Sequence, residues 1–155
     1  KNFFKFSNTN LPFLLFIFLI FAQIIMGAFV SGLDAGKIYQ TWPKMGETYI
    51  PNDLFLNNFK GIFEFDNHSL VQFYHRNLAY LIILYSIILT IFIYKKKVTD
   101  MYNSIKILIF FLFLQILLGI LTLISGLNIY LASLHQITSV LLVFSALNLY
   151  YFRVK

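Results

Sequence analysis

The chain has 155 residues, of which 59% are hydrophobic and only 12% charged, and it carries a net charge of +6. Soluble domains average about 25% charged residues, so a mean hydropathy of +0.77 points to lipid as the main solvent. The absence of cysteine excludes disulfides, thiolate metal sites and cysteine nucleophiles together.

In chain order, four stretches meet the requirement of about 20 mainly apolar residues for a membrane-crossing helix. They cover residues 11–30, 70–94, 107–127 and 130–152. Their apolar runs are continuous, without period-two alternation, which in lipid leaves helices. The expectation is an all-α membrane protein: one domain over residues 1–155, with four transmembrane helices in an antiparallel bundle and a long loop at 31–69. The first span is full length and lacks a small-residue cleavage site, so it reads as a true span and not a signal peptide. Because the chain starts at Lys1 and not Met, it is expected to be a processed product or a fragment.

Basic residues set the expected orientation. Lys1, Lys5, Lys95, Lys96, Lys97, Lys106, Arg153 and Lys155 face a single acid, Asp100, on one side of the four spans. The other side carries Lys37, Lys44, Lys60 and Arg76 against Asp34, Glu47, Asp53, Glu64 and Asp66. The positive-inside rule puts both termini and the second connection in the cytoplasm or matrix and the long loop outside. The basic pI of about 9.5 is thus a topology signal and calls for no nucleic-acid partner.

The spans form two helix-pair repeats. Gln23, Gly27 and then Ser31-Gly32 in the first span parallel Gln115, Gly119 and then Ser125-Gly126 in the third. The second and fourth spans each carry a histidine about five residues into the apolar run, His75 and His135. Equal offsets on parallel helices put both imidazoles at one depth. Ionisable groups within a bilayer are costly and normally mark function; the plain alternative is an interfacial polar residue. Small or polar residues accompany each histidine along its helix: Ala79, Ser86 and Thr90 after His75, and Ser139 and Ala146 after His135. They serve close helix packing or leave room beside the ligands. A closed zinc site needs four ligands. Iron in haem needs only two from the protein, so histidine ligation of haem is the better match. Arg76, next to His75, either pairs with a haem propionate or snorkels to the headgroups. His68 is expected to be solvated in the loop.

The most distinctive segments are Gly32-Leu33-Asp34-Ala35-Gly36, Thr41-Trp42-Pro43-Lys44-Met45-Gly46, Gln72-Phe73-Tyr74-His75-Arg76, the Leu114-Gln115 to Gly119 stretch and Leu134-His135-Gln136. Together, and in this order, they resemble the haem A synthase family of the proteobacterial and mitochondrial type. The resemblance covers nearly the whole chain and corresponds to the family's C-terminal four-helix half. It implies an oxidoreductase that converts the haem O methyl group to the formyl group of haem A for cytochrome oxidase. It further implies haem b, with its iron, held between His75 and His135, and a substrate-binding half carrying a catalytic glutamate that lies outside this chain, so no catalytic residue is assigned here. The implied partners are haem O through that other half, membrane lipid and an electron donor, with haem O synthase and a second copy of the chain as candidates. The implied location is the bacterial inner membrane or the mitochondrial inner membrane. The competing readings are a small membrane b-type cytochrome that only carries electrons, and a haem-free scaffold.

Overall fold

The computed structural model describes residues 7–51, 53–54 and 59–155. Its four long helices are α1 (Leu11–Gly32), α2 (His68–Lys95), α3 (Tyr102–Ile124) and α4 (Ile129–Val154). All four are long and apolar enough to cross a membrane, and the described residues form no strand. At 1.5 Å per residue, the shortest, with 22 residues, spans about 33 Å, the thickness of a bilayer's hydrocarbon core. The chain is therefore an all-α integral membrane protein.

α1 pairs chiefly with α2, and α3 chiefly with α4; contacts of α1 with α4 and of α2 with α3 join the two hairpins into an antiparallel bundle. The apolar core draws on opposite halves of alternate helices. Phe13, Phe16, Ile17 and Ile20 come from the start of α1, and Ile82, Leu89 and Ile93 from the later part of α2. Ile105, Leu108 and Leu112 come from the start of α3, and Leu142, Ala146, Leu149 and Tyr150 from the later part of α4. In an antiparallel arrangement these segments share one end of the bundle, the end of the chain termini. Stacking of Phe16 on Tyr85, with ring centroids 5.9 Å apart, adds to it. The opposite end is built from different residues.

The helix ends follow from local chemistry. Asn67 caps α2 by accepting from Leu70 N, and Asn128 caps α4 by accepting from Tyr130 N and Leu131 N, each satisfying amides that the first turn leaves free. α3 stops at Ile124, short of the apolar run, because Gly126 takes a positive φ of 71°. Leu127 N then bonds Thr122 O at 2.9 Å and Gly126 N bonds Leu123 O at 3.3 Å, the paired closure that a left-handed glycine permits. Lys97, at φ 52°, ends α2 in the same way, with Val98 N on Ile93 O and Lys97 N on Tyr94 O.

The α1–α2 loop folds back over the end of the bundle away from the termini. A methyl group added at Gly36 would sit 2.9 Å from Leu127 Cδ2 in the α3–α4 turn, so the loop backbone rests directly on the other hairpin. The Trp42–Pro43 peptide in this loop is cis.

Candidate functional site

The loop-covered end of the bundle holds both intramembrane histidines, and each is seated by the same arrangement on its hairpin partner. In the first hairpin, Gln23 Nε2 of α1 donates to the backbone oxygen of His75 at 3.0 Å and lies 3.2 and 3.4 Å from the two ring nitrogens. In the second, Gln115 Nε2 of α3 donates to the backbone oxygen of His135 at 3.0 Å and lies 3.4 Å from its Nε2. A carbonyl only accepts, so the amide nitrogen must face it, which fixes the orientation of both glutamines.

The glycine one turn after each glutamine gives the imidazole its place. A methyl group at Gly27 would lie 3.2 Å from Cε1 of His75, and one at Gly119 would lie 3.0 Å from Cε1 of His135. A side chain at either position would make the ring give by a few tenths of an ångström. The sequence repeat of glutamine, glycine and histidine is thus a repeat in space.

His75 is the eighth residue of α2 and His135 the seventh of α4, a difference of one residue, or about 1.5 Å of helix rise. The hydroxyl groups further along these helices play another part. Ser86 Oγ bonds Ile83 O, Thr90 Oγ1 bonds Ser86 O, and Ser139 Oγ bonds Gln136 O; each turns back on its own helix. Thr138, three residues after His135, has the hydroxyl that reaches the site: its Oγ1 lies within hydrogen-bond distance of Gln115 Oε1 as well as of Leu134 O and His135 O on its own helix, and its one proton is shared among these acceptors.

Arg76 holds the loop. Its Nη1 donates to Thr41 O at 2.9 Å and Lys44 O at 3.2 Å, and its Nη2 to Tyr39 O at 3.0 Å. Gln72, one turn earlier, donates from Nε2 to the same Tyr39 oxygen. Among the described residues the guanidinium has no carboxylate within ion-pair distance, so its acceptors are neutral. Beyond it, Tyr39 and Ser69 donate to the two carboxylate oxygens of Asp53. Burial pushes the Asp53 carboxyl up, but these hydrogen bonds outweigh it and hold the group below the usual carboxylate range; the same bond to Asp53 raises Tyr39. His68 is exposed at the first position of α2, inside the helix and not in the loop before it.

Among the described residues no three His, Cys, Asp or Glu side chains converge as a metal cluster. The donor set at this end is two imidazoles, and a group that brings its own equatorial ligands fits it. The Nδ1 atom of His135 is buried without a hydrogen-bond partner, an unusual state for a polar atom and one suited to a ring whose contacts are completed by a ligand. The two imidazoles, one of them with an unpartnered nitrogen, are the donors that this end of the bundle offers.

The model of the cytochrome oxidase assembly protein family matches residues 4–147. Among curated proteins, "Heme A synthase" of Pelagibacter ubique is 48% identical over 147 residues, covering 91% of this chain and 42% of the relative. "Heme A synthase" of the Wolbachia of Brugia malayi is 39% identical, covering 92% of this chain and 41% of the relative. That of Rickettsia felis is 35% identical, covering 81% and 37%. The chain therefore spans about two-fifths of the length of the curated relatives it matches, and no solved structure matches it. On the family model and these relatives, the chain belongs to the haem A synthase family of cytochrome oxidase assembly proteins.

Proposed function

We propose that this chain is the haem-b-holding four-helix part of a haem A synthase, an oxidoreductase that converts the haem O methyl group to the haem A formyl group. The observation that carries the reading is the twice-built seat of a glutamine-anchored imidazole against a glycine. Haem b, if bound, would be held by His75 and His135 and would supply one-electron iron chemistry.

The protein's own residues do the rest. His75 and His135 provide neutral nitrogen donors, and Gln23 and Gln115 fix the helix positions from which they reach. Arg76 provides a positive charge beside His75 for an acidic group at the cofactor's edge; a carboxylate is a stronger acceptor for a guanidinium than the carbonyls it now holds. The α1–α2 loop, fastened by Arg76 and Gln72, keeps water from this end of the bundle. The haem O site and its catalytic group belong to the remainder of the relatives' length. An electron donor, haem O synthase and a second copy of the chain are the further partners in this reading. The basic side, with both termini and the α2–α3 connection, faces the cytoplasm of a bacterium or the mitochondrial matrix.

Purification under haem-replete expression, with pyridine haemochrome spectra of wild type, His75→Ala and His135→Ala, tests this. The expected result is haem b in the wild type and its loss in both variants. A haem-free wild type, or haem retained unchanged in both variants, overturns it. Haem b without any gain of haem O oxidation when the rest of a relative is supplied favours a simple b-type electron carrier.

A further inference from the structure

The two histidine seats match in glutamine and glycine but differ in what holds the glutamine. Gln115 is fixed at both ends of its amide: Nε2 on the His135 carbonyl, and Oε1 on the hydroxyl of Thr138, which is buried three residues further along α4. The position three residues after His75 is Leu78, a partly buried apolar side chain with no proton to donate. Accordingly Gln23 Oε1 is buried with no hydrogen-bond partner. The backbone repeats the asymmetry. α3 and α4 are joined by a tight turn closed on Gly126, whereas α1 and α2 are joined only through the long loop.

We propose that Thr138 is a positioning residue that locks His135 through Gln115, and that His75 is the axial ligand that yields. The inference rests on the haem reading above and concerns how tightly each ligand is held. An amide held only at its nitrogen end, as Gln23 is on His75, turns more readily than one held at both ends.

Carbon monoxide reports this in the reduced, haem-loaded protein. For it to bind, one iron–imidazole bond breaks and one iron–carbon bond forms, with no change of oxidation state, so the binding rate follows the looser ligand. A buried hydrogen bond contributes a factor of about five on average. Leu78→Thr gives Gln23 a donor and is expected to slow carbon monoxide binding about threefold, since the His135 route stays open. Thr138→Val frees His135 to match His75; two equal routes then speed binding about twofold. Thr138→Ser keeps the hydroxyl and the wild-type rate, and the exchange variant carrying both Leu78→Thr and Thr138→Val returns near the wild-type rate. Haem-loaded protein in which Thr138→Val or Leu78→Thr leaves the rate unchanged overturns the inequality while leaving the haem reading intact. A wild type without haem overturns both. If Leu78→Thr fails to fold, the rise in Thr138→Val and its rescue in Thr138→Ser decide the question.

Discussion

Gly119 carries the closest approach in either seat, 3.0 Å from an added methyl to Cε1 of His135. In a helix, alanine is favoured over glycine by about 1 kcal/mol, so Gly119→Ala should leave the helix at least as stable while pushing the ring from its place. The expected outcome is haem content reduced several-fold with little change in protein yield, read from the haem-to-protein ratio. Gly32→Ala is the control, since nothing lies within 4 Å of the methyl it would add. Arg76 makes a second residue-level case. Its planar fork reaches three loop carbonyls, which a single ammonium cannot match. Arg76→Lys should loosen the loop by on the order of 2 kcal/mol, measured as faster proteolysis between residues 39 and 46 and a changed emission from Trp42, the sole tryptophan.

Among the elements, the α1–α2 loop has the clearest pH dependence. Asp53 is lowered in the folded protein by the hydrogen bonds of Tyr39 and Ser69. Its contribution is therefore fully present above the ordinary carboxylate value and is lost as pH falls through the lower folded value. Tyr39 is raised, so its contribution is present below the ordinary phenol value and lost as pH rises past it. The loop should stay fastened across the neutral range and loosen towards both extremes, with Trp42 emission as the readout; Asp53→Asn should abolish the acid transition. The helices themselves were legible in the sequence because continuous apolar runs of this length have few alternatives. Their ends were less so: hydropathy counts residues 125–127 as apolar run, while backbone geometry at Gly126 ends α3 at Ile124.

Over the whole molecule, the repeat and both histidines were visible as spacing, and so was the glutamine–glycine pair on each partner helix. What the glutamines do was not visible, because their acceptors are backbone carbonyls, which every residue has. Thr138 was hidden for a related reason. A walk of four residues from His135 lands on Ser139, and only the real helix contact shows that the three-residue neighbour meets Gln115. The loop's attachment through Arg76 was obscured by charge, which suggested a carboxylate or headgroup partner where the structure has carbonyls. The expected orientation has its own check. A cysteine introduced by Thr99→Cys in the α2–α3 connection should be labelled by impermeant reagents only from the cytoplasmic or matrix side, and one introduced by Lys44→Cys only from the opposite side.

The central claim is that His75 and His135 hold one haem iron between them. Near-infrared magnetic circular dichroism of the oxidised, haem-loaded chain tests it most directly, because the charge-transfer band of low-spin ferric haem identifies its two axial ligands. The account predicts a bis-imidazole band in the wild type that disappears in His75→Ala and in His135→Ala alike. A band from any other ligand pair, or a bis-imidazole band that survives both substitutions, would contradict it.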